Sequence, residues 1–179
     1  MRLIRIPKER VGALIGEKGE TKALVQKITG VKLNISSEGE VDIEENPEDP
    51  VASLKVMDFV KAVGRGFSPQ RAIRLLEEDE YLEVIEIADY IGSKKPEQMT
   101  RVRSRLIGSQ GKTRKIIEDL TGVNMSIFGS TVCLIGNSVQ LPVAKTAVEM
   151  ILRGSEHSTV YRYLERSRPM LRIAEMGFD

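Results

Sequence analysis

The chain has 179 residues, 41% apolar and 30% charged, with a formal charge of +1 at neutral pH. These proportions exclude a disordered chain, and near-neutrality excludes a globally basic nucleic-acid binder, so any such site must be a local patch. No apolar run reaches the roughly 20 residues of a membrane helix, the N-terminus carries no signal-peptide core, and a lone Cys133 forbids an intrachain disulfide, so a cytoplasmic protein without membrane attachment is expected.

Taken in order, Leu3 to Ile6 is a short strand stopped by Pro7, and Lys8 to Ile15 a short helix with Val11, Leu14 and Ile15 facing inward. Gly16-Glu17-Lys18-Gly19 interrupts it. Thr21 to Thr29 resumes with Leu24, Val25 and Ile28 at helical spacing, and Gly30 stands where a C-cap needs positive φ. Val31, Leu33 and Ile35 alternate with polar residues as a half-buried strand, and Val41 to Glu44 is its hairpin mate beyond Ser37 to Gly39. Asp49-Pro50 starts a helix carrying Val51, Leu54, Val60 and Val63, and Ser68-Pro69 opens a short extra helix through Leu76. The acidic run Glu77 to Glu80 separates the halves, so domains of 1–78 and 79–179 are expected.

The second half repeats the pattern. Leu14-Ile15-Gly16-x-x-Gly19 returns as Leu106-Ile107-Gly108-x-x-Gly111, and Thr29-Gly30-Val31 as Thr121-Gly122-Val123, at a constant offset of 92 from Leu14 to Ile35. Leu82 to Ala88 is its first strand, Ile91 to Glu97 an inserted loop, Met99 to Ile107 the short helix and Lys115 to Thr121 the post-loop helix. Val123 to Ile127 pairs with Val132 to Ile135. Asn137 or Ser138 caps the last core helix, which matches the first half at an offset of 88, and a basic helical tail runs from Thr159 to about Arg168, ending near Pro169.

A glycine at each end of a turn between helices lets ligand backbone approach without a Cβ in the way. The N–H groups opening the next helix then favour an anion such as phosphate. The turns differ in charge: Lys8 to Lys27 holds five basic and three acidic residues, whereas Thr100 to Asp119 holds six and two. Glu20 suits a helix N-terminus and its counterpart Lys112 does not, so the second turn is expected to be the stronger clamp. Gly111-Lys112-Thr113 ends like a Walker A loop, but residue 106 is leucine where that motif needs glycine. His157 and Cys133 lack the partners for a metal cluster or a nucleophile pair. No enzyme activity, cofactor or metal is therefore expected.

The duplicated turn resembles the KH domain, whose G-x-x-G loop clamps single-stranded RNA; the strand-helix-helix-strand-strand-helix order is that of its type I form. The resemblance implies an α+β chain of two type I KH domains, each with extra helices. It also implies an aliphatic groove lined by residues near Val11, Leu14, Ile15, Leu33 and Ile35, and by Leu106, Ile107, Met125 and Ile127. Candidate RNA-binding residues are Gly16, Glu17, Lys18, Gly19, Lys22, Ile15 and Leu33 in the first half. In the second they are Gly108, Ser109, Gln110, Gly111, Lys112, Arg101, Arg103, Arg105, Arg114, Lys115, Ile107 and Met125.

More closely, Leu82 to Ala88, Met99 to Arg105, Ile107 to Thr113, Ile117-Glu118, Ile135-Gly136, Ala144 to Gly154 with Val160-Tyr161, and Arg65-Gly66-Phe67 with Ala72, Leu75 and Leu76 resemble two-KH-domain factors of small-ribosomal-subunit maturation. That family implies binding near the 3′ end of 16S rRNA, alongside the trimming endonuclease and small-subunit proteins. Eukaryotic members have a degraded first glycine loop; intact Gly16 and Gly19 point to an archaeal relative. A general or mRNA-binding KH protein and a KH-fold interaction scaffold are the competing expectations, and a monomer is the simpler oligomeric state.

Overall fold

The computed structural model describes residues 2–177. They form two α+β units, the first ending at Leu82 and the second beginning at Glu83. The first contains β1 (Arg2–Arg5), α1 (Val11–Ile15), α2 (Glu20–Thr29), β2 (Lys32–Ile35), β3 (Glu40–Glu44), α3 (Pro50–Gly64) and α4 (Pro69–Ala72), with a 3-10 turn at Ile73–Leu76. Its sheet is antiparallel in the order β1-β3-β2, with Ile4 opposite Val41 and Leu33 opposite Ile43. The period-2 pattern fixes this register, because a one-residue slip would expose Leu33, Val41 and Ile43, which are buried. Asp49 caps α3 by accepting the Ala52 N–H, with Pro50 in the first turn, where its missing N–H costs nothing.

After β4 (Tyr81–Glu86), which begins just before that boundary, and an added α5 (Ile87–Ile91), the second unit repeats this order with α6 (Pro96–Ile107), α7 (Lys112–Thr121), β5 (Asn124–Phe128), β6 (Thr131–Gly136), α8 (Gln140–Leu152) and α9 (His157–Glu175). Its sheet order is β4-β6-β5. The repeat extends to individual hydrogen bonds. Thr29 Oγ1 donates to the Val25 carbonyl and accepts the Val31 N–H; Thr121 Oγ1 does the same with Ile117 and Val123. Gln26 accepts the Leu33 N–H and Glu118 accepts the Met125 N–H, each at 2.9 Å, so both units tie the post-turn helix to the same strand. Each such bond contributes about 1 kcal/mol net.

The structure corrects several expectations. The strand expected over Leu82 to Ala88 stops at Glu86, because the Ile87 N–H donates to the Ser130 carbonyl and the chain then coils into α5, closed by Gly92 at φ +66°. The helix before the second turn begins at Pro96, inside the expected loop, and the helix after it begins at Lys112 rather than Lys115. Asn137 is the cap of α8: its Oδ1 accepts the Val139 and Gln140 N–H groups while Gln140 Oε1 accepts the Asn137 N–H, a reciprocal capping box. Pro169 does not end α9 but sits inside it. It deprives the exposed Glu165 carbonyl of its helical donor, and buried Leu164 and Leu171 hold the helix together on either side.

Two helix faces also differ. Of Leu24, Val25 and Ile28, only Val25 is buried; in α3 the buried stripe is Ala52, Val56, Phe59, Val60 and Val63, leaving Val51 and Leu54 outside. That stripe keeps the i, i+4, i+7 rhythm of a core-facing helix and includes the expected Val60 and Val63.

Candidate nucleic-acid interface

Both glycine turns adopt one conformation. Gly16 has φ, ψ of 80°, 168° and Gly108 79°, 171°; Lys18 and Gln110 are left-handed at φ 55° and 56°; Gly19 and Gly111 both stand at φ 76°. The first glycine of each turn is obligatory on two grounds. Its torsions belong to a region nearly closed to other residues, and a Cβ there would lie 2.7 Å from the Thr21 nitrogen or 2.6 Å from that of Thr113. The second glycine faces open space, with nothing within 4 Å of where a Cβ would be. Each turn thus packs at its first glycine and opens to solvent at its second.

The first N–H of each following helix, and that of the glycine before it, is already paired within the turn. Gly19 donates to Gly16 O and Glu20 to Glu17 O, while Gly111 donates to Gly108 O and Lys112 to Ser109 O, forming a 3-10 turn. The exposed pairs Glu17-Lys18 and Ser109-Gln110 form the outer surface of each turn.

The basic residues separate into two groups. Lys112 and Lys115 are exposed at the start of α7, beside the second turn, whereas Arg101 is exposed on α6 near the end of α8, away from it. Arg114 is half-buried, reaching the Met125 carbonyl at 3.4 Å and the Glu118 carboxylate at 3.8 Å. Arg103 donates to the Gly129 carbonyl at 2.9 Å, joining α6 to the β5–β6 hairpin. Arg105 is not a free cation for a ligand: it donates to the Ile151 carbonyl at 2.8 Å and to the Ser155 carbonyl, stapling α6 to the end of α8. Arg10 does the same work in the first unit, reaching the Val63 and Phe67 carbonyls, both at 2.8 Å. Lys18 is exposed and Lys22 half-buried beside the first turn, and Lys8 pairs with Glu38 at 3.2 Å.

Of the expected groove residues, Leu33 and Met125 are 0% exposed, as are Leu14 and Leu106; their strand and helix positions point into the cores, which corrects their place in the groove. Ile15, Ile35 and Ile127 are half-buried and Ile107 is 37% exposed. The apolar surface beside each turn therefore comes from Ile15 and Ile35, and from Ile107 and Ile127.

Residues outside the expected set brace the second turn. Thr113 is buried, and its hydroxyl meets the Tyr161 hydroxyl of α9 at 2.9 Å. The Tyr161 ring stacks on His157, whose Nε2 lies 2.9 Å from the Arg105 carbonyl oxygen. The threonine two residues after each second glycine is the signal in the sequence; the partner of Thr113, on a helix 48 residues away, is not readable locally. Among the described residues, no group of three acidic, histidine or cysteine side chains could hold a metal, and no helix is long and apolar enough to cross a membrane.

Two such turns, each joining two helices beside a three-stranded sheet of order 1-3-2, define a tandem type I KH protein. Residues 81–169 match the family described as the eukaryotic-type KH domain (KH-domain type I), in its second-domain Pno1 form, and residues 1–53 match the KH domain family. A KH domain-containing protein of Methanocaldococcus jannaschii is 44% identical over 96% of this chain and 76% of its own length. The pre-rRNA-processing protein Pno1 of Schizosaccharomyces pombe is 30% identical over 93% of this chain and 70% of its own. In the crystal structure of an a/eIF2alpha–aDim2p–rRNA complex from Pyrococcus horikoshii, a chain 49% identical superposes with a TM-score of 0.86, covering 94% of both chains. The chain spans only 59% of the length of the nematode RNA-binding proteins pno-1. It belongs to the Pno1/Dim2 family of two-KH-domain proteins.

Proposed function

We propose that this protein binds single-stranded RNA of the small ribosomal subunit, near the 3′ end of 16S rRNA, and assists pre-rRNA processing by presenting that RNA to the endonuclease that trims it. The observation that carries the reading is the second glycine turn: an open glycine at Gly111, exposed Ser109-Gln110, and Lys112 and Lys115 exposed on the helix it opens, with no acidic residue in the turn. RNA backbone would lie across Gly108 to Gly111, with bases against Ile107 and Ile127 and with Arg114 at the strand edge. The first turn, carrying Glu17 and Glu20 beside Lys18 and Lys22, would be a weaker second contact. The names of the relatives support the ribosomal setting, since they include pre-rRNA-processing proteins and a Dim2 protein crystallised with rRNA.

The test is fluorescence anisotropy with a 16S 3′-end oligonucleotide. A clamp on three or four phosphates gives a slope of about −2 to −3 in log K against log salt. Ser109→Asp with Gln110→Asp places negative charge where phosphate would sit and should abolish measurable binding. Retained affinity in that folded variant would sink the reading.

A further inference from the structure

The duplicated fold allows the same surface to be compared in two units. In the second, α9 lies against both α7 and α8, with Val160, Leu164 and Leu171 buried. Ile116 and Leu120 of α7, and Val139 at the head of α8, pack partly buried against the core these residues join. At the repeat offsets of 92 and 88, they correspond to Leu24 and Ile28 of α2 and to Val51 of α3.

In the first unit those positions are bare. Leu24 is 45% exposed, Ile28 55%, Val51 57% and Leu54 49%. Asn46 ties the end of α2 to the segment leading into α3 by donating to the Thr29 carbonyl at 3.4 Å, and α2 packs beside α3. Leu24, Ile28 and Val51 therefore stand where Ile116, Leu120 and Val139 are partly buried in the second unit, with Leu54 one turn further along α3. Exposed apolar side chains gathered on two adjoining helices mark an interaction surface.

Charge narrows the occupant. Glu48 and Asp49 stand at the head of α3, Glu20 one turn before Leu24, and Asp58 one turn after Leu54. Against them are Lys27 and Lys61, while Lys55 is turned to the Glu77 carbonyl. Burial holds the Asp58 carboxyl above the usual aspartate range, partly offset by Lys61, so a cation placed over it would be favoured. The helix that covers the matching face in the second unit has four arginines and two glutamates.

We propose that the exposed α2–α3 face of the first unit docks an arginine-bearing amphipathic helix of a partner protein, seated as α9 is seated on α7 and α8. The probe is a synthetic peptide with the sequence of residues 157–175, titrated into the full chain and followed by amide NMR. Saturable binding is expected, with shifts centred on α2 and the first half of α3. Leu24→Glu, at an exposed site that leaves the fold intact, should weaken it about tenfold or more, and so should Arg162→Glu with Arg166→Glu in the peptide. Ser109→Asp with Gln110→Asp should leave it unchanged, which separates this surface from the RNA site. No saturation by about 1 mM peptide, shifts confined to α7 and α8, or concentration-dependent self-association of the chain through Leu24 and Ile28 would each overturn the proposal.

Discussion

Gly16 to Gly19 and Gly108 to Gly111 are one backbone turn set in two surroundings. Their torsions agree within a few degrees, yet the second is anchored through Thr113 to Tyr161 of α9, whereas the first belongs to a unit that ends in the short α4 and its 3-10 turn. The second turn carries Ser109, Gln110 and Lys112 where the first carries Glu17, Lys18 and Glu20. Torsions answer to the glycines and the threonine that follows them; electrostatics answer to the residues between. Duplication can therefore preserve the frame of a clamp while its grip changes.

The comparison breaks most severely at the packed glycine. Gly108→Ala should lower stability by about 2–3 kcal/mol, since a Cβ there meets Thr113 in a backbone region closed to alanine. Gly111→Ala, with open space around it, should cost only about 1–2 kcal/mol; thermal melts of both variants, and of the Gly16 and Gly19 pair, check whether the turns respond alike. Arg105→Ala removes two carbonyl hydrogen bonds from a cation and should cost about 1.5–3 kcal/mol, and Arg10→Ala a similar amount in its own unit. A far smaller loss for either, read by chemical denaturation, would show that the staple does not hold α6 or α1 in place.

Charge exchange sharpens the difference in grip. Glu17→Ser with Lys18→Gln and Glu20→Lys gives the first turn the side chains and charge of the second and should tighten RNA binding several-fold at low salt, with the gain screened out as salt rises. Tyr161→Phe should cost about 1 kcal/mol and loosen only the second turn, visible as faster amide exchange at Thr113. The smallest effect concerns Asp58, whose carboxyl burial raises above its unfolded value. That contribution to stability is full below the unfolded pKa and lost as pH rises through the folded one. Asp58→Asn should therefore melt slightly higher than the parent at pH 7, and the difference should fade below about pH 4.

Much of this molecule was legible in the sequence because the repeat doubled each weak signal. The two turns, the strand alternation around Leu33 and Met125, and the cap at Asp49 each rest on local spacing that the backbone obeys. What local spacing could not show is how deeply a residue lies. Leu33 and Met125 alternate as strand residues should, and nothing in that pattern separates a groove floor from a sealed core. Leu24 and Ile28 have helical spacing, yet the helix that packs on the matching α7 comes from the far end of the other unit. Arg103 and Arg105 look like free cations in a basic run because carbonyl acceptors 26 and 46 residues away leave no trace beside them. Pro169 reads as a stop, and only the burial of Leu171 beyond it explains why α9 continues.

The arginine staples carry a consequence for descent. Val63 and Phe67 correspond to Ile151 and Ser155 at the 88-residue offset, so the two pairs of accepting carbonyls are equivalent. The donors are not: Arg105 aligns with Ala13, whereas Arg10 stands three residues earlier. The two units close the same pair of carbonyls with an arginine from different points along the chain. A residue-by-residue comparison of the halves scores both arginines as divergence, although the contact they make is among the best preserved between the units.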